Sequence, residues 1–168
     1  PPIFVPHPSQ VAGIEQLVAT PYLQYIYPPD VSQLRHWFSA TGLAPAAGKT
    51  SAIFDDLAIL IHRVIRYNRR EETGVQSPAE TLRLATGSCR DMAVLMIETS
   101  RSLGYPARFV SGYLESQNSR VGRGSTHAWA EIYLHPRGVM PVSGGFSGLA
   151  GVGTSLKVTI TTKRLPPA

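Results

Sequence analysis

The chain has 168 residues, of which 43% are hydrophobic and 16% charged, and a formal net charge of +5. That is the balance of one ordinary globular domain, long enough to bury a real core. No run approaches the ~18 apolar residues of a membrane span. The basic residues are scattered apart from the cluster 66–70 and the pair Arg120/Arg123, so neither a membrane nor a nucleic acid is an expected partner.

The first thirty residues carry seven prolines between short apolar pieces, and residues 1–29 read as an extended leader. Residues 30–168 read as a single domain. Asp30 is a plausible N-cap for a helix that places Val31, Leu34, Trp37 and Phe38 on one face. Residues 42–49 are a small-residue break, after which Ile53, Leu57, Leu60, Ile61, Val64 and Ile65 recur at helical spacing. Ser77-Pro78-Ala79-Glu80 is a helix start, with serine as cap, proline in the first turn and Glu80 placed to complete a capping box. That short helix is expected to stop at Gly87. The next runs from about Cys89 to Leu103 and ends at Gly104.

Beyond Pro106 the period changes from helical to two. Residues 109–114, 128–134 and 139–142 read as strands, with a polar loop over 115–126, a turn over 135–138 and a last strand over 156–161. Helices first and antiparallel strands after define an α+β fold.

Cys89 is the only cysteine. An unpaired thiol suits a reducing compartment, and the chain reads as cytoplasmic. The thiol follows Gly87-Ser88 and opens the helix, where unpaired N–H groups and the helix dipole favour the thiolate. Thirty-eight residues later His127 opens an amphipathic strand. A helix-borne cysteine followed by a strand-borne histidine suits nucleophilic catalysis, because the imidazole must take the sulfur's proton and later return it. No His/Cys/Asp/Glu spacing suggests a metal site, and no cofactor is expected. Glycines 144–153 lack the Lys-Ser/Thr of a phosphate loop and read as a flexible loop.

Three stretches together resemble the transglutaminase-like family, a branch of the papain-like cysteine enzymes. They are Gly87-Ser88-Cys89-Arg90-Asp91-Met92-Ala93, the crossover from Leu103 to Leu114, and Thr126-His127-Ala128-Trp129-Ala130-Glu131-Ile132-Tyr133-Leu134. The resemblance implies a papain-like core with the nucleophile helix packed on an antiparallel sheet. It further implies a Cys-His-Asp triad that attacks a carboxamide and passes the acyl group to an amine or to water, in transamidation, deamidation or proteolysis. The substrate would be a peptide or protein. Cys89 matches the nucleophile, His127 the base, and Asp91 the acidic residue of the cysteine motif, read as structural in the helix's first turn.

The family's triad aspartate follows a Gly-Trp pair on the next strand. Here Gly138-Val139-Met140-Pro141-Val142-Ser143 occupies that stretch, with Ser143 where the aspartate is expected and no Asp or Glu after Glu131. A serine hydroxyl can hold the imidazole tautomer but cannot stabilise its charge, so reduced activity is expected. Glu131 lies about 13 Å along the strand from His127, too far to replace the aspartate, and reads as a structural contact. Arg120 and Arg123 sit in the loop ahead of His127, where they could favour acidic substrate segments. A non-catalytic binding or scaffold domain that keeps the fold is the alternative. Family members often carry a β-rich N-terminal domain, and the proline-rich start without an initiator Met suits a piece of such a longer chain.

Overall fold

In the computed structural model, residues 13–43, 50–114, 125–134 and 138–142 are described. The described elements are, in chain order, α1 (Ile14–Ala19), α2 (Val31–Ala40), α3 (Thr50–Val64), β1 (Arg66–Tyr67), α4 (Pro78–Leu84), β2 (Thr86–Gly87), α5 (Cys89–Ser102), β3 (Ala107–Leu114), β4 (Ser125–Leu134) and β5 (Gly138–Val142), of which α1, β1 and β2 are not among those read from the sequence. The fold is α+β, with β3, β4 and β5 forming an antiparallel sheet in that order.

Helix α5 is the centre of the core. Residues 91–102 are all buried. Met92, Leu95, Met96 and Ile97 pack with Leu34 and Phe38 of α2, with Phe54, Leu57 and Ile61 of α3, and with Ala130, Ile132 and Leu134 of β4. The period-two pattern of β4 explains the last contact: 128, 130, 132 and 134 are buried, while Trp129, Glu131 and Tyr133 are half-buried. A helix surrounded on all sides must also bury polar residues. Glu98 and Arg101 solve this by pairing at 2.8 Å. The remaining Glu98 oxygen accepts the backbone N–H groups of Ile26 and Tyr27, each at 3.1 Å. Arg101 donates to the carbonyls of Tyr22 and Ala107. The segment before α2 is thereby tied to the buried helix.

That segment is not extended throughout. It contains α1 and two short 3-10 turns over Thr20–Leu23 and Pro28–Asp30. Asp30 precedes α2 as expected but does not cap it with its side chain. Its carboxylate instead accepts the Ala79 N–H at 2.9 Å, reaching the first turn of α4. Ser77 caps α4 by accepting the Glu80 N–H, while the Glu80 carboxylate lies 3.9 Å from Arg83. Helix α4 stops three residues before Gly87, at Leu84, because Ala85 turns left-handed (φ 50) and Thr86–Gly87 are drawn into a parallel ladder with Arg66–Tyr67. The final strand read over 156–161 lies outside the described residues.

Candidate active site

Two short strands position the turn that carries Cys89. The Arg66 N–H donates to the Ala85 carbonyl and the Asn68 N–H to the Gly87 carbonyl, both at 2.9 Å. These bonds fix Gly87, two residues ahead of Cys89, against the end of α3. Gly87 must be glycine because a Cβ there would lie 2.9 Å from Asp91 Cβ. The chain then enters α5 with Ser88 as N-cap and Cys89 as first helical residue. Cys89 is half-buried, and its backbone N–H belongs to the helical turn whose donors have no partner within the helix.

Asp91 locks this turn. Its fully buried carboxylate accepts the Ser88 N–H (2.7 Å), the Ser88 hydroxyl (2.8 Å), the Gln76 N–H (2.8 Å) and Arg70 Nη1 (2.9 Å). Burial alone would push this carboxyl's pKa up. The bonds from Ser88, Gln76 and Arg70 outweigh it and hold the group below the usual 3.8. The reading of Asp91 as structural therefore gains a specific content: it fixes the backbone that presents Cys89. Arg90 adds two bonds to the carbonyls of Arg70 and Glu72.

His127 lies near the start of β4, opposite Gly112 of β3, and is buried. Its ring stacks on that of Trp129, centroids 6.2 Å apart and planes inclined by 25°. The Trp129 ring lies over Gly112, where a Cβ would meet it at 3.0 Å. Glycine on β3 thus makes room for the indole that flanks the imidazole. Burial lowers the His127 pKa below 6.5, so the neutral, proton-accepting form prevails at neutral pH.

The two elements meet at a cavity of about 10 Å³, lined by Cys89, Met92, Ala93 and Met96 of α5, Ala58 and Ile61 of α3, and Ala128 of β4. It is apolar and about the size of one water. Cys89 and the residue next to His127 therefore share one wall of the core. Glu131 stands apart from this chemistry: in register with Arg108, it accepts Arg108 Nε at 2.7 Å. The structural reading of Glu131 fits that contact. Ser143, Arg120 and Arg123 lie outside the described residues.

Sequence reasoning missed Tyr67, Arg70, Gln76 and Gly112. The two-residue strand that holds Tyr67, and the loop positions of Arg70 and Gln76, carry no periodic signal. Gly112 was legible in principle, as a glycine inside a strand that marks close approach by another group.

The family model described as Transglutaminase-like superfamily matches residues 39–143, which include Cys89 and His127, and the chain belongs to that superfamily. Solved structures carry the same fold. A candidate cysteine protease from Cytophaga hutchinsonii superimposes with a TM-score of 0.66 at 20% identity, covering 85% of this chain and 45% of that one. The periplasmic domain of TgpA from Pseudomonas aeruginosa gives 0.58 at 20% identity, covering 81% and 48%. An uncharacterized protein of Mycobacterium tuberculosis is 28% identical over 130 residues, 74% of this chain and 41% of its own length. One from Mycobacterium leprae is 39% identical over 66 residues. The chain thus spans less than half the length of these relatives. Among the described residues no helix is long and apolar enough to cross a membrane.

Proposed function

We propose that this domain is a thiol enzyme that attacks carboxamides of peptide or protein substrates through an acyl-enzyme, with Cys89 as nucleophile and His127 as general base. The observation that carries the reading is the placement of Cys89 on the first residue of α5, sharing a cavity wall with the strand that bears a buried, neutral imidazole. His127 takes the thiol proton as sulfur attacks the carbonyl carbon. The Cys89 N–H, at the helix start, donates to the developing oxyanion. The C–N bond then breaks, and the amine or ammonia leaves with the proton from the imidazolium. Water or an acceptor amine releases the acyl group in the second half-reaction.

Membership of the superfamily supports the reaction class, and the C. hutchinsonii neighbour supports amide hydrolysis as one outcome. The compartment is proposed as reducing, the cytoplasm, on the unpaired thiol alone; the TgpA neighbour is a periplasmic domain.

The test is intact-protein mass spectrometry after incubation with a panel of glutamine-containing and protein-derived peptides, with amine acceptors present and absent. An acyl adduct on Cys89, or turnover lost in both Cys89→Ala and His127→Ala, is expected. Turnover that persists in Cys89→Ala refutes the assignment. A folded wild-type protein that forms no adduct and turns over no peptide favours a scaffold domain, the reading to which Ser143 in the sequence points.

A further inference from the structure

On the face of the sheet turned away from α5 lies a second cavity, of about 320 Å³. Its floor is β4 with the start of β3. Residues 128, 130, 132 and 134 point into the core, so Glu131 and Tyr133 lie on the opposite face, and Arg108 joins them in register with Glu131. The facing wall is α1, which buries none of its residues and leaves Ile14 78% and Val18 64% exposed. Both walls are fixed from the core side. Arg101 Nε donates to the Tyr22 carbonyl just beyond α1 at 2.9 Å, and the Tyr133 N–H donates to the Pro106 carbonyl at 2.8 Å. The groove is therefore preformed, and its volume falls in the range of small-molecule sites. Its charges are unevenly placed. Arg108 Nε and Glu131 neutralise each other at 2.7 Å. Tyr133, two strand residues or about 7 Å along β4 from Glu131, meets Glu15 of α1. Burial raises the Tyr133 pKa above 10, and the charge of Glu15 and the bond its carboxylate accepts from the phenol raise it further. With Glu15 and Glu131 set against Arg108, the lining is net acidic in a chain of net charge +5. An apolar groove with one acidic, tyrosine-bearing end complements an ammonium carried on an apolar body. The carboxylate supplies the counter-charge, and aromatic rings attract cations.

We propose that this groove is a binding site for a small organic cation, an aryl- or alkylammonium whose apolar body lies against Ile14, Val18 and Pro106 and whose ammonium lies beside Glu15 and Tyr133. The site shares no lining residue with the cavity at Cys89 and does not depend on the chemistry proposed for Cys89 and His127.

Calorimetric titration of the 168-residue chain at neutral pH with phenylbutylamine, phenylbutanol and phenylbutyrate tests body and charge separately, because the three share one apolar part. The amine is expected to bind about tenfold more tightly than the alcohol, and the carboxylate more weakly than either. Glu15→Gln is expected to bring the amine to the level of the alcohol while leaving the alcohol unchanged. Ala19→Phe, which fills the groove from α1, is expected to abolish binding of both. No saturable binding of the amine in the millimolar range overturns the proposal. Equal affinity for amine and carboxylate overturns it, as does equal weakening of amine and alcohol by Glu15→Gln. Amine binding that survives Ala19→Phe lies elsewhere and overturns it too. Should Ala19→Phe melt early, Val18→Arg, at an exposed position, must abolish amine binding in its place. A chain that sediments as a dimer without ligand, and that Val18→Arg makes monomeric, has a second copy on the groove, which also overturns the ligand site.

Discussion

Arg70 and Asp91, 21 residues apart in sequence, meet at 2.9 Å with the carboxylate fully buried and the guanidinium largely so. Their contact ties the loop after β1 to the first turn of α5. Because Asp91 also holds Ser88 and Gln76, its loss would free the loop, the cap and the turn together. Asp91→Asn is expected to cost about 2–4 kcal/mol, from a broken buried pair and weakened charge-assisted bonds. Urea unfolding followed by circular dichroism measures this. A loss below about 0.5 kcal/mol, the range of ordinary surface changes, would mean that Asp91 is not the tie described.

Acid stability carries two signatures with known signs. The folded Asp91 pKa is depressed, so its stabilisation is complete above its unfolded value of 3.8 and is lost as pH falls through the lower folded value. The folded His127 pKa is also depressed, but by burial of the neutral ring. The unfolded chain therefore takes up a proton first, and stability declines as pH falls below 6.5 toward the folded value. Melting temperature against pH should show both declines in wild type. His127→Gln should flatten the upper one and Asp91→Asn the lower. A wild-type profile that is flat from pH 7 to pH 5 and unchanged by His127→Gln would contradict the burial of the imidazole.

The Glu98–Arg101 pair is the most deeply buried ion pair described, and it holds backbone groups on both sides of α5. Glu98→Ala leaves Arg101 buried without its counter-ion and is expected to cost about 3–5 kcal/mol. It should also release the Ile26 and Tyr27 amides, so residues 13–30 should become the first site of limited proteolysis. Cleavage that begins elsewhere, at wild-type rate, would show that the segment is held by other contacts.

The parts of this molecule legible in the sequence are those with a period or a cap. Helix α5 announced itself through Ser88, the apolar run from Met92 and Gly104, and β4 through the alternation from Ala128 to Leu134. The connections between elements were not legible, because they depend on single long-range bonds. Asp30 sits where a cap for α2 belongs and serves α4 instead, 49 residues on. Ala85 adopts a left-handed conformation that sequence would assign to the nearby glycine, since the β1–β2 ladder demands Gly87 for its own close approach to Asp91. The start of α5 at Ser88-Cys89 was readable from the small residues ahead of the apolar run. The carboxylate's partners, Arg70 and Gln76, were not.

Glu131 tests whether a strand carboxylate near His127 has a catalytic role. Its partner is Arg108, and the pair is solvent-accessible, with side-chain exposures of 52% for Arg108 and 18% for Glu131. Glu131→Gln is therefore expected to cost at most about 1 kcal/mol and to leave Cys89 acylation unchanged. A drop in acylation beyond tenfold, without loss of stability, would place Glu131 in the proton path and remove the need for a residue after β5.

Ser143 is where the family pattern and this sequence part. We propose that it occupies the orienting position of the triad, where a hydroxyl can accept a bond from the imidazole but supplies no charge. Burial already lowers the pKa of His127 and makes it poor at carrying a proton. A carboxylate at position 143 would raise that pKa and stabilise the imidazolium formed as sulfur attacks. Ser143→Asp is thus expected to increase turnover, by up to the ~10⁴-fold that an orienting carboxylate contributes in serine hydrolases, and to move the acid limb of the rate profile to higher pH. Cys89→Ala should be inert in both backgrounds. The paired readout separates catalysis from folding, because a merely structural change at this position would not shift the histidine's titration. A folded Ser143→Asp protein with unchanged turnover and an unchanged His127 titration by NMR would refute the assignment.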